Sequence, residues 1–204
     1  MLKNDMTAWV RNQIEESVRV HQAAIELTPL LISIGEKLVA SFRSGKRVYF
    51  FGNGGSAADA QHWAAELSGR FYLDRPSLPA IALNTNTSQV TAIANDYSYD
   101  EIFSRPLSGL IEQGDTVVAI STSGNSKNVV LALELARRKH VTTIGFTGAA
   151  GGLMKPLCDG CVCIQTSDVA RIQEAHELCG HIICAFIERE LFDKATVGKK
   201  DESG

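Results

Sequence analysis

The stretch TVVAISTSGNS, residues 116–126, decides the fold, because an apolar run passes directly into a loop of small hydroxyl residues. Residues 116–120 are typical of a buried strand, and residues 129–139 beyond the loop have a helical pattern. Backbone N–H groups at a helix N-terminus lack helical partners and attract anions. The loop therefore suits a phosphomonoester, and the alternative of an ordinary turn with a serine helix cap stays equally open.

Strand and helix patterns alternate along the rest of the chain. A helical pair comes first, at residues 7–27 and 28–44, with Thr28 as the expected cap of the second helix and Pro29 in its first turn. Five strands are predicted, at residues 47–51, 80–83, 116–120, 142–146 and 160–165. Apolar strands alternating with helices indicate an α/β fold with a parallel sheet, in which ligands bind beyond the carboxyl ends of the strands.

A second strand–loop–helix junction lies at residues 52–56, GNGGS. Its glycines allow close approach of a ligand to the backbone, while Ser56 and Asp59 resemble a capping box, so a ligand loop and a capped turn both fit. The following helix carries His62 and Glu66 on one face. Their spacing suits a metal pair or a base with its orienting partner, and it equally suits a solvated pair.

The last predicted helix, residues 169–192, carries Gln173, His176, Glu177 and His181. Glu177 and His181 share a face, whereas Gln173 and His181 are separated by about 12 Å along the axis and turned by about 80°. Gln173 and His181 reach one small ligand only by extending toward each other or by coming from different subunits. Taken alone, His181 fits a hydrogen-bonded, half-buried histidine better than a catalytic group.

Composition narrows the class of protein. The chain has 204 residues, a net charge of −3 and no basic block, which predicts one domain and no nucleic-acid partner. Residues 1–197 are expected to form that domain, with helices over 1–44, an α/β core over 45–197 and a frayed tail at 198–204. No signal peptide or membrane span is expected, and the five cysteines are interpreted as apolar fillers in a reducing cytoplasm rather than a Cys158-x-x-Cys161 metal or redox pair.

These motifs together resemble the sugar-isomerase (SIS) domain and, more narrowly, the bacterial sedoheptulose 7-phosphate isomerases, also called phosphoheptose isomerases. The resemblance rests on residues 52–56, 95–96, 121–126 and 171–174, in that order along the chain. It implies a flavodoxin-like α/β fold with five parallel strands and a cytoplasmic homotetramer with active sites at subunit interfaces. It also implies conversion of sedoheptulose 7-phosphate to D-glycero-D-manno-heptose 7-phosphate, toward the ADP-heptose of lipopolysaccharide cores.

The same resemblance implies roles for individual residues. The phosphate would be held by Ser121, Thr122, Ser123 and Ser126. The rest of the substrate would be contacted by Asn53, Gly54, Gly55, Ser56, Asn95, Asp96 and Gln173. One zinc ion per subunit would be bound by His62, Glu66, Gln173 and His181.

The expected chemistry is aldose–ketose isomerisation through an enediolate, which needs one group for the carbon-bound proton and another for the oxygen protons. Glu66 is the candidate base and His181 the candidate acid, with zinc as a Lewis acid for the developing charge. A zinc-bound carboxylate is a weaker base, and four protein ligands are typical of structural zinc. A catalytic, a loosely held and a regulatory metal therefore all remain open.

Two other functions fit parts of the sequence. A related protein that associates with the DnaA initiator shares the fold and the tetramer but is a binding module. It lacks residues matching Glu66 and His181, so the presence of both here favours an enzyme. An isomerase acting on another sugar phosphate is the third possibility.

Overall fold

A computed structural model describes residues 3–193 of the chain. The predicted frayed tail, residues 198–204, lies outside this range. The assignment of residues 1–197 to a single domain stays a prediction.

The core is one sheet of five parallel strands, as predicted. The strands are β1 Val48–Gly52, β2 Ala80–Ala82, β3 Thr116–Ile120, β4 Thr142–Gly148 and β5 Gly160–Ile164. Their spatial order is β2-β1-β3-β4-β5, so the direction of chain progression reverses between the neighbours β1 and β3. A crevice for ligands forms at the carboxyl ends of the strands at such a reversal.

Helices cover both faces of the sheet because the strand side chains alternate between two apolar clusters. Phe50 joins a cluster with the helices Thr28–Arg43 and Val169–Phe192, and its neighbour Phe51 joins a cluster on the opposite face with the helices Ser104–Leu110 and Lys127–Arg138. The helices after β1 are α3 Gly55–Ser68, α4 Thr87–Asp96, α5 Ser104–Leu110, α6 Lys127–Arg138 and α7 Val169–Phe192. This three-layer arrangement confirms the predicted α/β class.

The N-terminal helical pair is present, with a break that the sequence did not predict. Helix α1 spans Lys3–Ala23, a 3₁₀ turn covers Ala24–Leu27, and α2 runs over Thr28–Arg43. The expected cap is wrong, because Thr28 already lies inside α2 and its hydroxyl donates to the Ile25 carbonyl at 2.6 Å. Pro29 does lie in the first turn, where a backbone N–H has no acceptor within the helix, so the lack of an N–H in proline costs no hydrogen bond.

One face of α1 is apolar and exposed. Trp9, Val10, Ile14 and Val18 have 45–60% of their surface accessible. Helix α1 is also attached to α7, where Arg171 donates to the Gln13 carbonyl at 2.7 Å. Among residues 3–193, no helix combines the length and apolarity needed to cross a membrane.

Candidate functional site

The two predicted ligand loops lie side by side, because Gly52 at the end of β1 pairs with Ile120 at the end of β3. We call residues 52–56 the glycine loop and residues 121–126 the hydroxyl loop. Asn53 of the glycine loop exchanges two amide hydrogen bonds with Asn128 in the first turn of α6, at 2.9 and 3.0 Å. Asn53 also accepts a hydrogen bond from the Tyr99 hydroxyl at 3.0 Å, so its amide links the glycine loop to the helix that follows the hydroxyl loop and to Tyr99.

The hydroxyl loop is organised around Ser121. This buried side chain lies 2.9 Å from Ser126 Oγ and 3.4 Å from Ser123 Oγ. Ser126 occupies the N-cap position of α6, yet its hydroxyl bonds Ser121 instead of a backbone N–H of the helix. Ser126 is therefore the cap residue by position, as the alternative expected, but it lacks the side-chain hydrogen bond of an ordinary serine cap. The arrangement gathers hydroxyl groups beside a helix N-terminus, which suits an anion.

The segment after β4 fixes the shape of the hydroxyl loop. Gly124 has a φ of +67° and contacts the Gly151 backbone so closely that a side chain would overlap it. Met154 N–H donates to the Gly124 carbonyl, and Gly148 N–H donates to the Thr122 carbonyl. The loop is thus held in one conformation by backbone bonds that leave its serine hydroxyls available.

Helices α3 and α7 approach each other at Trp63 and Gly180. The Trp63 indole is 2% exposed and lies directly against Gly180, where a Cβ atom would overlap three indole atoms. Trp63 Nε1 also donates to Glu177 Oε2 at 2.9 Å. Because His62 and His181 are the immediate neighbours of these two residues, the glycine contact determines the distance between them.

His62, Glu66 and His181, three of the four predicted metal ligands, converge into a histidine–glutamate cluster between α3 and α7. His62 Nε2 lies 3.2 Å from Glu66 Oε1 and 3.4 Å from His181 Nε2. One ligand atom from each residue lies within 4.8 Å of the other two. The i,i+4 pair on α3 is therefore more than a solvated surface pair, because a residue from another helix completes it.

Two acidic residues next to the cluster were not among the predicted site residues. Glu177 Oε1 lies 2.6 Å from His62 Nδ1 and 3.1 Å from His181 Nε2. These contacts are short but lack hydrogen-bond geometry, so this buried oxygen has no hydrogen-bond partner among residues 3–193. Its i,i+4 spacing to His181 is the sequence signal that points to it.

Asp59 is the second missed residue, and the predicted capping box is wrong. Gly54, not Ser56, is the N-cap of α3, and the half-buried Asp59 side chain does not cap the helix. Asp59 Oδ2 is without a hydrogen-bond partner in the described part of the chain. Burial, together with the nearby Glu177 charge, raises the pKa of Asp59 to about 7, against a smaller opposing effect of His62.

The residues present fit a divalent metal ion. When two ligand atoms each lie about 2.0–2.1 Å from a tetrahedral zinc ion, the distance between them is roughly 3.3 Å. The His62–Glu66 and His62–His181 separations of 3.2 and 3.4 Å are close to this distance. The three carboxyl groups of Asp59, Glu66 and Glu177 lie around two histidines, and two of them carry the unpaired oxygens. A cation is the natural counter-charge for such a set. Among residues 3–193 no group of three or more that includes a cysteine has comparable geometry.

The other predicted site residues occupy varied positions. The Gln173 amide lies directly over Gly55, so it faces the glycine loop. Asn95 donates to Asp96 at 2.8 Å at the exposed end of α4. His176, on the same helix as His181, is buried and bonds the Thr147 carbonyl at 3.1 Å, as a core histidine does. The ligand roles of Gln173, Asn95 and Asp96 stay predictions.

Comparison with known proteins identifies the family. The family described as the SIS domain matches residues 14–148. A phosphoheptose isomerase of Aneurinibacillus thermoaerophilus is 44% identical over 96% of this chain and 100% of its own length. One from Sulfurimonas denitrificans is 48% identical over 92% of this chain and 97% of its own length.

Solved structures agree with the sequence matches. The structure of a phosphoheptose isomerase from Neisseria gonorrhoeae superimposes with a TM-score of 0.85 at 37% identity, covering 90% of this chain and 98% of that one. That from Francisella tularensis gives 0.84 at 31% identity, with 93% and 100% covered. This chain therefore belongs to the SIS-domain family and, within it, to the phosphoheptose isomerases, which are aldose–ketose isomerases.

Proposed function

We propose that this chain isomerises sedoheptulose 7-phosphate to D-glycero-D-manno-heptose 7-phosphate, for the lipopolysaccharide core. The observation that carries the proposal is the convergence of His62, Glu66 and His181 from two helices that both begin beside the ligand loops. Helix α3 begins inside the glycine loop, and the first turn of α7 reaches the hydroxyl loop, where Ile172 contacts Gly148 beside the Thr122 carbonyl. One substrate then has its phosphate at the hydroxyl loop and its carbonyl end at the cluster.

In this assignment Ser121, Thr122, Ser123 and Ser126 bind the phosphate with hydroxyl groups and the N-terminus of α6. Charge-assisted hydrogen bonds of this kind anchor the substrate without taking part in the proton transfers. The sugar is bound by Asn53, Gly54, Gly55, Ser56, Asn95, Asp96 and Gln173. Anchoring the phosphate converts the proton transfer into an intramolecular step with fixed geometry.

Glu66 removes the carbon-bound proton, and His181 donates and accepts the oxygen protons. Glu177 lies between the two histidines and places a negative charge beside both rings. His62, Glu66, His181 and Gln173 would hold zinc, which as a Lewis acid would stabilise charge on the substrate oxygens. The three-residue cluster by itself resembles an open site, since structural zinc has four protein ligands.

One assay tests the activity directly. Purified protein is incubated with sedoheptulose 7-phosphate in deuterium oxide, with and without added zinc, and the aldose is observed by NMR. We expect aldose formation and exchange of a carbon-bound proton, both abolished in Glu66→Gln. Phosphosugar binding without isomerisation or exchange, for any C6 or C7 ketose phosphate, would instead support the initiator-binding alternative, which the homologues do not favour.

The proposal includes a cytoplasmic homotetramer. The exposed apolar face of α1 supports it, as does an apolar cavity of about 210 Å³ between α1, α2 and α7, because exposed apolar surface of this kind usually contacts a partner chain. Light scattering at micromolar concentration should give four times the 22.1 kDa of the chain. A stable monomer would refute the assembly and the interfacial active site with it.

A further inference from the structure

A buried ion pair lies behind the histidine–glutamate cluster, formed by Arg75 and Glu188. Arg75 Nε donates to Glu188 Oε1 at 3.0 Å, and both side chains are 2% exposed. Glu188 follows His181 on α7 by seven residues, which is two helical turns. Arg75 lies on the segment between α3 and β2. The pair therefore connects the segment that follows α3 to α7, the helix that carries His181.

Arg75 also closes the end of α3, the helix that carries His62 and Glu66. Its guanidinium donates to the carbonyls of Glu66 at 2.8 Å and Leu67 at 2.6 Å. These are carbonyls of the last helical turn, which have no partners within the helix. A cation at this position is also favoured by the helix dipole. The position of Glu66 is thus linked through its own carbonyl to the buried pair.

Glu188 holds the segment that begins after α3. Its Oε1 accepts from Phe71 N–H at 3.0 Å, and its Oε2 accepts from Tyr72 N–H at 2.8 Å and Leu73 N–H at 3.0 Å. Burial alone would raise the pKa of Glu188, but these three N–H groups and Arg75 lower it below its usual value. A charged carboxylate with four donors fixes the backbone of this segment.

The fixed segment places Phe71 on His181. The two rings are stacked with centroids 5.4 Å apart and an angle of 22° between their planes, and His62 meets the same imidazole edge-on at 4.9 Å. His181 is therefore confined between an aromatic ring from the segment and its partner from α3. Removing Phe71 would leave the imidazole free to turn away from the cluster.

We propose that Glu188 is a positioning residue for this site, acting with Arg75 to hold Phe71 against His181 and thereby to orient the imidazole. The proposal rests on the proposed function for its kinetic prediction. Its spectroscopic prediction does not depend on activity. Glu188 and Arg75 touch no reacting atom, so their effect is on orientation and not on chemistry.

The test compares Glu188→Gln, Phe71→Leu and Asp115→Asn. A glutamine at 188 turns an NH₂ group toward two N–H donors and leaves Arg75 without its counter-charge. Asp115 is the matched control because it is also a buried carboxylate, accepting from the N–H groups of Arg47 and Glu112 at 2.9 Å each. It precedes β3, at the end of the sheet opposite the site. Circular dichroism and urea unfolding establish that each variant is folded.

The first readout is the His181 Cε1–H resonance in protein labelled with ¹³C-histidine, assigned by its loss in His181→Asn. The Phe71 ring current shifts this signal, so Phe71→Leu should move it. Glu188→Gln should move it in the same direction, and Asp115→Asn should leave it in place. A folded Glu188→Gln protein with an unmoved His181 signal would overturn the proposal.

The second readout is the split between kcat and KM for sedoheptulose 7-phosphate. Loss of a supporting residue behind a reactive histidine typically lowers the rate by about 10–100-fold. We expect that loss in kcat for Glu188→Gln and Phe71→Leu, with KM close to wild type because the hydroxyl loop is untouched. Wild-type kcat in Phe71→Leu would refute the positioning role even if Glu188→Gln did not fold. An inactive wild-type protein would refute the proposed function, and the resonance shifts would still decide the inference.

Discussion

Replacing Gly180 with alanine tests whether the contact between α3 and α7 sets the site. The added methyl group would lie within 3 Å of three atoms of the buried Trp63 indole. Carbon atoms need about 3.5–4.0 Å, so the indole or the helices must move by roughly 1 Å or more. Such overpacking costs about 1–3 kcal/mol, while the better helix propensity of alanine returns about 1 kcal/mol. The net expectation is a loss of up to about 2 kcal/mol in the free energy of unfolding.

The effect on activity should exceed the effect on stability. His62 and His181 flank the contact, and a displacement of about 1 Å in a catalytic arrangement can lower the rate by ~10²-fold. Gly109→Ala in α5 is the matched control, because a Cβ there meets open space. We expect Gly109→Ala to match or exceed wild-type stability at unchanged activity.

Urea unfolding and the isomerase assay, made on the same preparations, measure both effects. Adding Trp63→Leu to Gly180→Ala should recover part of the lost stability, since it removes the overlapping indole. If Gly180→Ala unfolded at the wild-type urea concentration and kept the wild-type rate, the contact would not set the spacing of the two helices.

Three further predictions follow from the site and the core. Ser121→Ala and Ser126→Ala each remove a hydrogen bond to a charged group, worth about 1.5–3 kcal/mol, so calorimetry should show phosphosugar affinity reduced about tenfold or more; unchanged affinity would make the loop structural only. Glu66→Gln and His181→Asn should lower the isomerase rate by ~10²–10⁴ while light scattering shows the wild-type assembly, and either variant retaining full rate would remove that residue from the mechanism. Burial lowers the pKa of His176 to about 4, so the unfolded chain binds the proton first and stability falls as pH drops from about 6.5 toward 4. Urea unfolding should show that this group makes the protein about 2 kcal/mol less stable at pH 5 than at pH 7. In His176→Gln the free energy of unfolding should therefore fall less steeply with decreasing pH. An unchanged pH dependence in His176→Gln is what an exposed histidine would give, and it would contradict the prediction.

Much of the fold follows from local pattern. Apolar runs such as residues 116–120 are typical of buried strands, and their alternation with helices favours parallel pairing. The cap expected at Thr28 failed because a 3₁₀ turn continues the helical path from α1, which short-range propensity does not distinguish from a new start. The capping box at Ser56 failed because burial in the site competes with local capping for the Asp59 carboxylate.

The site was less accessible to sequence reasoning than the fold. The spacing of His62 and Glu66 shows a shared face but not what meets that face. His181 arrives from a helix more than 100 residues away, and the Trp63–Gly180 contact that helps to bring it there involves residues far apart in the sequence. Glu188 gave no sequence signal, because three of its four donors are backbone N–H groups and the fourth, Arg75, lies 113 residues away in the sequence.

Helix α7 is the last element that the structure describes, and this affects the order in which the protein can mature during synthesis. All five strands and α3 leave the ribosome before His181 does. Until α7 docks, the sheet face around Phe50 lacks the part of its cover that includes Ile172, Ile183 and Ile187. A nascent chain at that stage therefore has all five strands but a partly uncovered apolar face, to which chaperones can bind. The same docking event that buries this face also supplies His181, so the protein gains a solvent-compatible surface and its histidine–glutamate cluster in one step.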